Sequence, residues 1–191
     1  MSAKILVLIT FVFFLHDAGD ASAKVLLTKG KALELAFPEA EEIEKRHVFL
    51  TERQAESVRK MAKAEVNSRL YTFYIAKSGG KETGCAVIDT HTLRTLTETV
   101  MFVINPDGTL RHAEILAFFE PTDYMPNGKW INLFPEKTKM DGMKVGKGIP
   151  NITGATISAR SFSKATRRVL AVYKVTFGIP ADLQLSVREK K

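Results

Sequence analysis

The feature that most constrains the fold is a turn between two apolar runs in the middle of the chain. Asn105-Pro106-Asp107-Gly108 separates Thr99 to Ile104 from Thr109 to Phe119. Proline followed by Asp-Gly favours a tight turn, because proline presets its own φ and glycine adopts positive φ without a steric penalty. The segment therefore predicts a β-hairpin, and with it antiparallel strands.

More strands are predicted upstream. Leu70 to Ala76 and Cys85 to Thr90 lie on either side of the turn residues Ser78-Gly79-Gly80-Lys81, and Ile43 to Leu50 adds another strand. The centre of the chain is therefore predicted to be an antiparallel, hairpin-rich sheet.

Helices are predicted on either side of these strands. Thr51-Glu52-Arg53-Gln54 has capping-box spacing, and apolar residues then recur at helical intervals, which predicts a helix over 51–66. A second long helix is predicted over 158–177, and a short one over 31–37 ends before Pro38. The basic residues of the second long helix are expected to lie largely opposite its apolar stripe: Arg160, Lys164, Arg167 and Arg168.

The order of these elements predicts an α+β fold. It would have helices packed on the antiparallel sheet and a long loop before the C-terminal helix. No repeat or low-complexity linker interrupts the chain, so residues 24–191 are expected to form a single domain.

The first 23 residues have the layout of a secretory signal peptide. Lys4 supplies a positive charge, Ile5 to Leu15 is an apolar run of eleven residues, and Ala21-Ser22-Ala23 offers small residues for cleavage after Ala23. A membrane span takes about 20 apolar residues. We therefore expect a cleaved signal and an exported, periplasmic or extracytoplasmic protein, rather than a retained anchor.

The composition limits the classes of partner and site. Removing the signal segment changes the net charge from +7 to +8, a balance that attracts acidic partners or anionic lipid. Because the basic residues are dispersed and the protein is expected to be exported, we predict no nucleic-acid partner but allow a membrane-surface contact. The only cysteine, Cys85, has apolar neighbours and is expected to be a buried structural thiol. The mature histidines show no metal-ligand spacing, so we predict no metal site: His47, His91 and His112.

The stretch from Glu120 to Pro150 breaks the strand pattern. It contains four prolines, four glycines and the only tryptophan, Trp130. Loops of this length in compact domains are usually functional or disordered, and its aromatic residues argue against disorder. We interpret it as a loop that covers something, with one helical turn near 130–134.

The residues that indicate chemistry lie where this loop enters the last helix. In Ile152-Thr153-Gly154-Ala155-Thr156-Ile157-Ser158, small residues and hydroxyls coincide with a predicted helix N-terminus. Such a terminus presents unpaired backbone N–H groups and the positive end of the helix dipole, which suit a phosphate. Hydroxyl residues in this position most often serve only as N-caps.

Thr153-Gly154-Ala155-Thr156 resembles the flavinylation motif of the FMN-binding domain family, whose pattern is Ser or Thr followed by Gly-Ala-Thr. That family includes the RnfG- and NqrC-type subunits of ion-pumping redox complexes and related exported domains. Its final Thr is joined to the phosphate of FMN by a dedicated flavin transferase, so the resemblance implies covalent FMN on Thr156. It also implies that Ser158 belongs to the motif.

The resemblance extends loosely over residues 37–177 and has a notable departure. The acidic end of the hairpin, Glu120, is similar to the family, but Pro150 stands where the family often has Asp. The flavin ring would need apolar or aromatic walls and a few hydrogen bonds. The candidate cofactor-binding residues are Thr156, Thr153, Gly154, Ala155, Ser158, Glu120, Tyr124 and Trp130, with Phe134 as a further wall and Lys147 as a nearby cation.

These features predict an electron carrier or oxidoreductase subunit rather than a stand-alone enzyme. Its partners would be the flavin transferase and a membrane quinone- or cytochrome-linked oxidoreductase. Two alternatives remain open. The chain could bind FMN reversibly as a reductase or module, or it could be a non-redox exported accessory subunit in which the motif only caps a helix.

Overall fold

The structure, a computed structural model, describes residues 24–178. The predicted signal peptide and residues 179–191 lie outside the described residues. The described elements are β1 (Lys24–Val25), α1 (Lys29–Ala36), β2 (Glu42–Phe49), α2 (Glu52–Ala62), β3 (Leu70–Ser78), β4 (Lys81–Thr92), β5 (Thr97–Ile104), β6 (Leu110–Phe118), α3 (Gly128–Ile131) and α4 (Thr156–Phe177). Single 3₁₀ turns occur at Thr122–Tyr124 and Met140–Met143.

The strands form one antiparallel sheet in the order β1-β6-β5-β4-β3-β2. From β2 to β6, strands that are consecutive in the chain are neighbours in the sheet, which is the arrangement that hairpin turns produce. The α+β fold predicted from the sequence is confirmed. β1 was not predicted, and its two residues pair with the end of β6.

Helices cover both faces of the sheet. On one face, α2, α4 and the long loop enclose the larger core, which includes Phe73, Phe102 and Phe162. On the other face, α1 covers a smaller cluster around Leu33 and Met101. Thirteen of the 22 residues of α4 are buried, so this helix is an interior element rather than a surface one.

The second helix begins as predicted and ends earlier. Thr51 and Gln54 form the expected capping box, in which the backbone N–H of Gln54 donates to Thr51 Oγ1 at 3.2 Å. The helix stops at Ala62 because Lys63 adopts a left-handed conformation with φ of 49°. The Ala62 carbonyl accepts a hydrogen bond from Arg167 of α4, so a tertiary contact satisfies a carbonyl that a longer helix would have used itself.

Arg167 and Arg168 were expected to lie opposite the apolar stripe of α4, but they do not face solvent. Both side chains are buried between α4, α2 and β4. Arg167 donates to the carbonyls of Ala62 and Ser163, and Arg168 donates to the Glu65 carbonyl. The free carbonyls after α2 need donors, and the guanidinium group, with five N–H donors, can supply them from inside the fold.

Cys85 is buried, as predicted, and burial raises the pKa of its thiol to about 12. Within residues 24–178, no helix combines the length and the apolar character needed to cross a membrane.

Gly84 provides a test of the sheet geometry. It lies beside an irregularity in the β3–β4 pairing, has φ of 148°, and a Cβ added there would lie 2.8 Å from the Ile104 carbonyl oxygen. We expect Gly84→Ala to reduce the free energy of unfolding by about 1–3 kcal/mol, measured by urea denaturation. Gly30→Ala in α1 is the control, because a Cβ there meets nothing within 4 Å, and it should stabilise by about 0.5–1 kcal/mol. Equal effects of the two substitutions would contradict this assignment.

Candidate functional site

The last helix begins at Thr156, two residues earlier than predicted. Ala155 is its N-cap residue, and no side chain forms a capping hydrogen bond there. The hydroxyls of Thr153 and Ser158 therefore do not act as the N-cap that the simplest interpretation of this sequence expects. The N–H groups of the first turn point out of the N-terminal end of the helix, and no side chain of residues 24–178 caps them, which leaves them available to an anion.

The residues before Thr156 form a tight turn. The Ala155 amide donates to the Ile152 carbonyl at 3.1 Å, and Gly154 has φ of 82°. A Cβ placed on Gly154 would meet nothing within 4 Å, so the space beside it is open. Thr153 and Gly154 are exposed, whereas Ala155 is buried and anchors the turn.

Thr156 is partly exposed, and its hydroxyl has one hydrogen-bond partner among residues 24–178. Asn151 Nδ2 donates to Thr156 Oγ1 at 2.9 Å. The hydroxyl oxygen retains a lone pair, and its own proton is not required for this contact. Sequence reasoning missed Asn151, because no local pattern indicates that the turn brings residue 151 back to residue 156.

Two neighbours of Thr156 on α4 differ in exposure. Ser158 is buried, while Ile157 is 49% exposed. An exposed isoleucine next to an open helix terminus supplies apolar surface that a planar ligand could cover. Ile157 was not among the residues predicted for the site.

Trp130 anchors the segment that leads into the motif. Its indole N–H donates to the Pro150 carbonyl at 2.8 Å. Its ring is buried and packs against Phe134 and Phe162, with centroid separations of 5.0 and 5.7 Å. The helical turn that carries it, α3, begins two residues before the predicted position. Trp130 and Phe134 thus lie in the core beneath the loop, and Trp130 determines where Pro150 lies.

Glu120 ties the start of the long loop to the β4–β5 turn. Its Oε1 accepts from the backbone N–H groups of Leu96 and Thr95, each at 2.9 Å, and of Arg94 at 3.3 Å. These hydrogen bonds hold the pKa of the carboxyl below its usual value. Tyr124 is partly buried, and Arg94 lies 5.5 Å from the centre of its ring. Lys147 is exposed and pairs with Asp141.

Four charged side chains meet between the sheet and α4, and we call them the buried charge cluster. It consists of Asp89, His91, Glu98 and Arg168. His91 bonds Asp89 at 2.9 Å and Glu98 at 3.0 Å, and Arg168 bonds Asp89 at 2.8 Å. Glu98 is fully buried, and its Oε2 has no hydrogen-bond partner among residues 24–178. No local sequence pattern predicted this cluster, because its members come from β4, β5 and α4.

Burial and the contacts within the cluster shift the pKa values of its members. Burial alone would lower the pKa of His91, but its hydrogen bonds to Asp89 and Glu98 outweigh burial and raise the pKa to about 9. Burial raises the pKa of Glu98, whereas Asp89 has a lowered pKa because His91 and Arg168 outweigh its burial. At neutral pH His91 is therefore a cation held between two carboxyl groups.

Comparison of the chain with known protein families and with curated proteins finds no match. Within the part of the chain that the structure describes, no group of three or more His, Cys, Asp and Glu side chains is arranged to hold a metal ion.

The raised pKa of His91 predicts a specific pH dependence of stability. Its pKa is about 9 in the folded protein and about 6.5 in the unfolded chain. The stabilisation is fully present below pH 6.5 and is lost as the pH rises through 9. We expect the free energy of unfolding to fall by about 2–3 kcal/mol over this interval, and expect His91→Gln to lack that decrease. Denaturation at a series of pH values tests this prediction. It is refuted if the free energies of unfolding of wild type and His91→Gln depend on pH in the same way.

Proposed function

We propose that this protein is an exported electron-transfer flavoprotein that carries FMN through a phosphoester bond to Thr156. The observation that carries the proposal is that Thr156, a partly exposed residue, begins a helix that has no side-chain cap. Thr156 is also the residue that matches the attachment position of the flavinylation motif. Neither feature alone would support a covalent site as well as the two together.

The helix start suits the phosphate of FMN. The first-turn N–H groups and the dipole of a 22-residue helix favour negative charge at this position. The open space at Gly154 lets the phosphate approach the backbone without a clash. Thr153 and Ala155 complete the turn that leaves this side accessible.

Asn151 would orient the attachment oxygen. Because its amide N–H donates to Thr156 Oγ1, it limits rotation of the hydroxyl and leaves a lone pair for bond formation. When the Thr156 oxygen attacked the phosphorus of an activated FMN donor held by the transferase, the hydroxyl proton would be lost and the bond from phosphorus to the donor's leaving group would break, and the same N–H would still donate to the ester oxygen.

The remaining candidates fall into two groups by their exposure. Ile157 and Tyr124 are accessible enough to contact a flavin ring, whereas Trp130, Phe134 and Glu120 would act indirectly by holding the loop. Lys147 is exposed near the motif in sequence, and its pairing with Asp141 moderates its charge. When bound, FMN supplies reversible electron transfer, and the protein positions it and influences its potential.

The expected partners follow from this assignment. A flavin transferase would attach FMN, and a membrane quinone- or cytochrome-linked oxidoreductase would exchange electrons with it. The predicted signal peptide would bring the chain to the compartment outside the cytoplasm. The net positive charge of the exported chain favours contact with an acidic partner surface or anionic lipid.

Reversible FMN binding is the second candidate. Pro150 favours it, since this departure from the family pattern concerns a residue that a transferase could recognise. The uncapped helix start would bind the phosphate of free FMN in the same position.

Intact mass tests the covalent assignment. We expect the mature protein, produced in the periplasm with a flavin transferase, to gain the mass of one FMN less one water, and Thr156→Val to gain nothing. Thr138→Val is the matched control, because it alters an exposed threonine outside the motif and should still be modified. If the unmodified mass is found for every protein, the covalent claim fails, and the visible spectrum of the native sample then distinguishes reversible FMN from no flavin.

The role of Asn151 predicts a kinetic defect. Asn151→Ala removes one hydrogen bond worth about 1.4 kcal/mol to the reacting oxygen, so flavin incorporation should slow about tenfold. The melting temperature should change little because Asn151 is exposed. A time course of intact mass measures the rate, with Asn132→Ala as an exposed control. Incorporation at the wild-type rate would exclude this role for Asn151.

A further inference from the structure

The two central strands β3 and β4 separate at one end of the sheet. Their pairing runs only from Phe73 opposite Val87 to Ser78 opposite Lys81. The earlier residues of β3 pair with β2, and the later residues of β4 pair with β5. The sheet is therefore open between these two strands at this end.

A cavity of about 350 Å³ occupies this opening. Lys29 and Tyr74 line it from the face that α1 covers. Asp89, His91 and Arg168 of the buried charge cluster line it from the face beneath α4. The volume lies in the range of small-molecule sites, about 300–1,000 Å³. Apart from Asn67 and Ser68, which precede β3, the lining residues belong to helices and strands, so most of the cavity wall is preformed.

The charges around the cavity do not balance. Lys29, His91 and Arg168 line it together with Asp89, and Glu98 lies behind His91 as its second carboxyl partner, so the cation left without a carboxylate is Lys29. Asp89 Oδ2 already accepts from both His91 and Arg168, and Lys29 forms no ion pair with any residue of 24–178. Arg168 donates to Asp89 and to the Glu65 carbonyl and hydrogen-bonds the Tyr71 hydroxyl, which leaves two of its five N–H donors without a described acceptor. The surplus positive charge favours an anion.

The apolar part of the wall limits the class of anion. The rings of Tyr71 and Tyr74 and the side chains of Leu70 and Ile88 line the same cavity. A bare inorganic anion would leave this surface unused, whereas a carboxylate with an apolar body would cover it and still reach the cations.

We propose that the opening between β3 and β4 is a binding site for a small organic carboxylate with an apolar body. The carboxylate is held by Lys29 and the free donors of Arg168, and the body lies against the tyrosine rings. Asp89, His91 and Glu98 position the guanidinium of Arg168 and keep the cavity wall charged. The site is separate from Thr156 and does not depend on the proposed flavin.

Titration with benzoate, followed by amide NMR shifts of the mature protein at pH 7, tests the site. We expect saturable shifts at Thr72 and over 88–91, with a dissociation constant in the millimolar range for so small a probe. Lys29→Gln should weaken binding about fivefold. Lys29 is exposed at the start of α1, so the variant should fold normally.

Three controls complete the experiment. Lys139→Gln alters an exposed lysine of the long loop and should bind benzoate like wild type, as should Thr156→Val. Benzyl alcohol has a similar shape without the charge and should produce no saturable shifts. The proposal is overturned if benzoate shifts do not saturate, if Lys29→Gln binds equally well, or if benzyl alcohol binds as tightly as benzoate.

Discussion

The packing of α4 across the sheet is the contact on which the rest of the structure depends. Phe162 lies among the rings of Phe102, Phe134 and Trp130, which joins the helix to β5 and to the long loop. Buried aromatic contacts of this kind contribute strongly to core stability. Because the helix is buried along most of its length, its N-terminus and its arginines have defined positions relative to the strands.

Two candidate sites lie along this one helix. At its start, an uncapped N-terminus presents Thr156 beside Asn151. Three turns later, Arg168 enters the buried charge cluster under the open end of the sheet. Buried charges are stabilised only when they are paired and hydrogen-bonded, and breaking one partner is costly. The cluster therefore imposes a specific arrangement on β4, β5 and α4, whereas the helix start remains accessible.

Much of the local structure followed from the sequence. The hairpin turns, the capping box at Thr51 and the long C-terminal helix were all predicted, because each depends on residues within a few positions of one another. Helix boundaries and the burial of individual side chains were harder to predict from the sequence. The helix α2 ends at the left-handed Lys63, and the carbonyl left free at Ala62 is satisfied by the buried Arg167, 105 positions away. No periodicity encodes that contact.

The sequence by itself determined the antiparallel α+β architecture and identified a Thr-Gly-Ala-Thr turn at the mouth of a helix, since both depend on local turn chemistry and residue spacing. The tertiary structure alone decided that this helix has no side-chain cap, that Trp130 holds the Pro150 carbonyl, and that Asp89, His91, Glu98 and Arg168 share one buried cluster. The physical reason is that such contacts depend on strand register and on the path of α4 across the sheet. These are set by the burial of the whole core rather than by any short segment.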